Sequence, residues 1–285
     1  PGGGTDYWAR LTTTKMAEAL GQPILIDNKP GAGTRIAAEL VSRAPADGYT
    51  LLIGDIGTFS VNPSLYPKLS YDPVKDFRPI SLTVRQGLVL GVPASSDLRS
   101  VADLVAKAKA NPGKLNYGSA SIGSPHHLAM ELFQSLAGVR LNHIAYKGGV
   151  PLVIDLVGGQ VQAAFMDLPS AMPQIKAGKL RGLAVFSEKR LKAFPDIPTI
   201  AESGYPGHVV EAWQGTVAPA GTPREVLDRI NSSYAAVSKD PEIIQKLSDM
   251  GMEATPSTSQ AFGDYMKSQT AAWGIIIRDK KISAE

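Results

Sequence analysis

The sequence has no cysteine in its 285 residues, which excludes disulfides, thiol nucleophiles and cysteine-ligated metals. A chain free of stray thiols suits an oxidising compartment. Charge is close to balance, 29 Lys and Arg against 26 Asp and Glu for a formal +3, and the bases are scattered. That argues against a nucleic-acid partner. Apolar runs are interrupted by glycine, proline or charge well before the roughly 20 residues of a membrane helix. The common catalytic signatures are missing too: there is no Walker A sequence, no G-x-S-x-G elbow, no S-x-x-K and no H-E-x-x-H. His126 and His127 are neighbours, so on a helix they point about 100° apart and cannot chelate one metal together. No metal or cofactor is expected.

What the chain does have is 44% hydrophobic content, 28 glycines and 21 prolines, enough for sizeable cores punctuated by turns. The most informative stretch is Asn116-Tyr117-Gly118-Ser119-Ala120-Ser121-Ile122-Gly123-Ser124-Pro125-His126-His127-Leu128. It reads as a short strand passing through small residues into a helix, with Ser124 as cap and Pro125 at the first helical position. Unpaired backbone donors at such a helix start can seat a carboxylate or phosphate without lysine or arginine. An ordinary capped turn would look the same from sequence.

The remaining text repeats one grammar. Pro1-Gly2-Gly3-Gly4-Thr5-Asp6 reads as a loop, followed by a helix with Trp8, Leu11, Met16, Ala19 and Leu20 inward and Gly21 as its stop. Such a loop normally follows a strand, so the chain is expected to begin after processing or trimming. Pro23-Ile24-Leu25-Ile26-Asp27 reads as a buried parallel strand, then a glycine turn leads to a helix with Ile36, Leu40 and Val41 inward. Tyr49 to Ile53 is another short strand, ending at Gly54. The sequence then predicts strands up to Val92 and a second α/β series: a helix capped by Ser100, strands near 114–117, 142–146, 161–165 and 180–186, and helices between them. Three helices close the chain, the last from about Ser259 to Ile277.

This pattern predicts an α/β protein of two similar lobes, each a doubly wound sheet flanked by helices, with ligand loops at the carboxyl ends of the strands. Residues 1–92 and 216–285 are expected to form one discontinuous lobe and 93–215 the other, with the ligand cleft between them. Asp167 ends a strand on the ligand side, where its carboxylate either meets a ligand donor or water or caps the next helix.

The set PGGGTD, IDNKPGAGT, ADGYTLL, NYGSASIGSPHHLAMELF, AYKGG with DLVGGQV, AGKLRGLAV and WQGTVAPAGTP resembles the Bug family, the receptors related to the TctC component of tripartite tricarboxylate transporters. The likeness covers essentially the whole chain. It implies a periplasmic, two-lobed Venus-flytrap receptor of the type II-like periplasmic-binding-protein fold, a monomer without catalysis. Such a receptor captures a small mono- or dicarboxylate, aromatic acids included, for membrane transporter subunits or a signalling sensor. By the same resemblance, Gly3, Gly4, Thr5, Asp6 and Tyr7 oppose Ser119, Ala120, Ser121, Ile122, Gly123 and Ser124 around the carboxylate, with Asp167 acting through water. The same resemblance has Thr58 help shape the ligand's far end; Gly54 lies in the ligand loop that follows its strand, Tyr7 and Phe59 are expected to act as aromatic selectors, and His126 is a further candidate ligand-binding residue. The family's opening strand is missing from this text, Ile122 stands where a small or polar residue is common, and Asp55-Ile56 where neutral polar residues are usual. The alternatives are a serine-dependent hydrolase or transferase, for which His126 is the base nearest in sequence, and a sensory ligand-binding module.

Overall fold

The computed structural model describes residues 2–192, 194–207, 210–280 and 282. In chain order these form α1 (Gly4–Leu20), α2 (Arg35–Ser42), β1 (Leu52–Asp55), α3 (Asn62–Leu65), β2 (Phe77–Gln86), β3 (Leu88–Pro93), α4 (Val101–Ala110), β4 (Asn116–Ser119), α5 (Pro125–Ala137), β5 (Asn142–Ala145), α6 (Gly149–Val157), β6 (Ala163–Asp167), α7 (Leu168–Lys176), β7 (Leu180–Phe186), β8 (Ala212–Pro219), α8 (Arg224–Val237), α9 (Pro241–Asp249), β9 (Met252–Ala254) and α10 (Ser259–Lys280). They fall into two compact units. The first comprises Pro1–Gly4, Gln86–Ala212 and Asp249–Gly251, and the second Thr5–Arg85, Trp213–Ser248 and Met252–Glu285.

The first unit is built on a five-stranded sheet of order β5-β4-β6-β3-β7. β4 runs parallel to β5 and β6, whereas β3 runs antiparallel to β6 and β7. Every residue of β3 and β6 is buried, as expected for strands covered on both faces, and this explains why their text is apolar up to Asp167. Val89, Ala164 and Met166 of the sheet pack with Leu152 and Leu156 of α6 and Leu168 and Met172 of α7. Local chemistry sets the helix ends. Ser100 Oγ accepts the Asp103 N–H at 3.1 Å to start α4, and Ser124 with Pro125 starts α5, which Gly138 stops in a left-handed conformation.

The second unit holds a four-stranded sheet of order β1-β8-β2-β9, with β1 antiparallel to β8 through pairs such as Leu52 with Val217 and Gly54 with Gly215. Its centre is aromatic. Phe59 stacks on Trp213 at 6.2 Å and meets Phe77 and Phe262 edge-on. Trp8 and Met16 of α1 are buried, with Thr12 between them on the same face.

Several expectations need correction. Pro23 to Asp27 forms no strand; it runs beside no ladder partner among the described strands, and Leu25 is 92% exposed. An apolar run cannot become a buried strand without neighbours to take its N–H and C=O groups. Ile36 and Leu40 are half exposed, whereas Val41 is buried as expected, together with Ala38. The first helix begins at Gly4, so Thr5, Asp6 and Tyr7 lie in its first turn rather than in a loop. The chain passes between units at Arg85/Gln86 and Ala212/Trp213, earlier than the 92/93 and 215/216 expected. The reason is that Gln86 bonds to Asp167 and Leu88 pairs with Asp167 and Phe186, which ties residues 86–92 to the first unit's sheet.

Candidate functional site

In the first unit the loop from Ser119 to Ser124 follows the carboxyl end of β4 and opens α5. Much of its polar chemistry is spent on itself. Ser119 is fully buried, its Oγ 2.9 Å from the Ser121 carbonyl and 2.7 Å from His143 Nε2. Ser124 Oγ donates to the Ser121 carbonyl at 2.7 Å and accepts the His127 N–H, and the Gly123 N–H donates to His127 Nδ1 at 3.1 Å. Ser119, Gly123 and Ser124 therefore build the loop. Among the described residues, the N–H groups of Ala120, Ser121 and Ile122 and the Ser121 hydroxyl make no hydrogen bond to protein, and all three residues are half-buried. The loop leaves those donors uncommitted.

Beneath the loop lies a ring stack absent from the sequence expectations. His127 and His143 are parallel at 4.2 Å, and Tyr117 stacks on His143 at 4.7 Å. The parallel register of β4 and β5, which sets Tyr117 against His143, makes this possible. Burial pushes His143 down to about 4, and burial with the neighbouring His143 pushes His127 down to about 3. Both rings are neutral near pH 7. The Ser121 carbonyl can only accept, so the single Ser119 proton goes there and His143 Nε2 carries a hydrogen toward the serine. A histidine that donates is not the base a nucleophilic serine needs.

Asp167 occupies the N-cap position of α7, yet its side chain does not cap that helix. Its Oδ2 accepts the Gly4 N–H at 2.9 Å, and its Oδ1 accepts from Gln86 Nε2 at 3.1 Å and lies 3.1 Å from His126 Nε2. Burial alone would raise its pKa, but the His126 charge and hydrogen bond, with the Gly4 amide, outweigh it and hold the carboxyl below its usual range. His126 is 4% exposed and serves Asp167. A Cβ at Gly3 would come within 3.0 Å of Asp167 Oδ2, and one at Gly4 within 2.0 Å of Gln86 Nε2. The triple glycine thus admits this side-chain pair against the backbone. Gln86 gave no signal in sequence, since it is simply the last residue of β2.

The other candidates lie in the second unit. Asp6 accepts from Arg10 Nε at 3.1 Å and Asn28 Nδ2 at 2.9 Å; Tyr7 is half-buried, its hydroxyl 3.5 Å from the Lys246 carbonyl. Thr58 is buried, bonded to Asp55 and Thr34. Phe59 is fully buried within the aromatic core, and Gly54 is small because a Cβ there would meet the Phe59 ring at 2.7 Å. A cavity of about 890 Å³ in this unit is lined by Arg78, Arg224, Asp228 and Lys267 and touches only Phe59 of the predicted residues. Among the described residues no acidic or histidine cluster could hold a metal, and no helix is long and apolar enough to cross a membrane.

Comparison with known proteins identifies the family. Residues 8–282 match the family of tripartite tricarboxylate transporter family receptors, TctC, and the chain belongs to that family, whose members are solute-binding receptors rather than enzymes. It is 38% identical over its whole length to a UPF0065 protein from the tcbD–tcbE intergenic region of Pseudomonas sp. strain P51, covering 84% of that protein. It is 33% identical over 98% of its length to BugT of Bordetella pertussis, covering 86% of it. Among solved structures, a periplasmic transporter matches with TM-score 0.96 and 38% identity, over all of this chain and 95% of that one. Rpa4515 of R. palustris with adipate gives 0.96 and 36%, over 99% and 94%. MatC of Rhodopseudomonas palustris with bound malate gives 0.92 and 30%, over 97% and 95%. The fold is accordingly the α/β, two-sheet periplasmic-binding-protein fold.

Proposed function

We propose that this receptor works in the periplasm, binds a small mono- or dicarboxylate, and passes it to membrane transporter subunits or reports it to a signalling partner. The observation that carries the reading is the set of uncommitted N–H groups at Ala120, Ser121 and Ile122, presented beside the start of α5. Three oriented dipoles and a helix start favour an anion without a formal positive charge. Asp167 does not oppose such a guest strongly, because His126, Gln86 and the Gly4 amide already answer its charge. The relatives solved with adipate and with malate support a carboxylate as the guest. Within the same unit, Gly3 and Gly4 are proposed to complete this half of the site.

A thermal-shift screen over small carboxylates, including hydroxylated and aromatic acids, tests this. A ligand at about 100 times its Kd should add roughly 2.7 kcal/mol of stability. No shift with any carboxylate would contradict the proposal.

A further inference from the structure

We infer that Gln86 is a positioning residue for the ligand seat of the first unit: its carboxamide aims the Asp167 carboxylate at the Gly4 amide and so fixes the Gly3–Gly4 backbone. The inference rests on the carboxylate-receptor reading for its functional consequence, though not for its geometry.

Gln86 is 3% exposed, and its Nε2 donates to Asp167 Oδ1 at 3.1 Å. A carboxylate offers about four lone-pair directions. Here Oδ1 is met by Gln86 and His126, and Oδ2 by the Gly4 N–H. Gln86 places a second donor on Oδ1 beside His126, and with both in place the carboxylate is aimed so that Oδ2 stays on the Gly4 N–H. The fit is close on the other side as well, since any side chain at position 4 would strike the carboxamide.

The other end of Gln86 strengthens the case. Its Oε1 is buried and makes no hydrogen bond among the described residues. A buried orphan acceptor is unfavourable, and an aliphatic side chain would avoid it. What the carboxamide supplies that an aliphatic group cannot is the donor on Asp167.

The test compares the intact protein with Gln86→Ala, Gln86→Asn and Gln86→Glu. Adipate and malate binding is measured by calorimetry, and hydrogen-exchange protection of the Gly4 amide by NMR on the ligand-free protein. Glutamate is nearly isosteric but faces Asp167, itself paired with His126 of α5, with a second carboxylate. Near neutral pH the two repel; at about pH 5 they share a proton and the glutamate O–H donates as the amide did.

Gln86→Ala and Gln86→Asn should weaken binding about tenfold or more at both pH values, the scale of a lost hydrogen bond to a charged group. Gln86→Glu should weaken it near neutral pH and recover toward the unmutated protein at about pH 5. Gly4 protection should fall and recover in step. Mere damage to packing would give no acid recovery, and that result would overturn the inference, as would unchanged binding and Gly4 protection in the alanine and asparagine proteins. If the unmutated protein binds neither acid, nor any other in the thermal-shift screen, the carboxylate reading fails on its own. Gly4 protection then still decides whether Gln86 positions this backbone.

Discussion

Gly123 donates its backbone N–H to His127 Nδ1 at 3.1 Å, four residues ahead in the first turn of α5. The loop and the helix it opens are thereby one rigid piece, with the imidazole as a fixed acceptor. The stack with His143 holds that acceptor in place.

Replacing His127 with alanine should therefore do two kinds of damage. It removes a buried ring and orphans the Gly123 amide, at a combined cost of about 2–4 kcal/mol. Urea unfolding measures the loss, and carboxylate affinity should fall as well because the loop donors lose their frame.

Acid should loosen the same platform. His127 and His143 titrate near 3 and 4 in the folded protein against about 6.5 unfolded. A base whose folded pKa is depressed contributes stability that is present above the unfolded value and lost as pH falls toward the folded one. Asp167, also depressed, loses its contribution as pH falls below the ordinary carboxylate range. The urea midpoint should drop between about pH 6.5 and pH 4, with a further fall below that. A His127→Phe, His143→Phe protein should show a flatter slope in the upper window.

Cutting Asp167 to alanine leaves the Gly4 N–H, the Gln86 carboxamide and His126 without their common acceptor. Breaking a buried pair from one side costs about 3–5 kcal/mol. Asp167→Asn keeps an acceptor oxygen for Gly4 and should cost less. Denaturation of the two variants side by side checks the order.

Phe59 separates core from site. Phe59→Ala should destabilise by about 3–5 kcal/mol, whereas Phe59→Leu, which keeps most of the volume, should leave the ranking of carboxylate affinities unchanged. A changed ranking by calorimetry would return Phe59 to the ligand.

The sequence made some of this legible and hid the rest for physical reasons. Ser124-Pro125 and Gly138 announced both ends of α5 because capping is local, and the strand ending at Asp167 showed in its apolar run. His143 and Gln86 did not show, because their partners are 24 and 81 residues away and only the sheet brings them together. Phe59 looked like a loop aromatic because Trp213 and Phe262, which enclose it, are distant in the chain. Pro23 to Asp27 had the composition of a strand, but composition does not supply a neighbour.

The most direct measurement is an amide-resolved NMR titration of the protein with adipate. If main-chain donors hold the acid, the N–H signals of Ala120, Ser121 and Ile122 shift together, saturating at one Kd, while Gly123, already bonded to His127, moves least within the loop. Saturable binding that leaves those three amides unmoved would contradict the account.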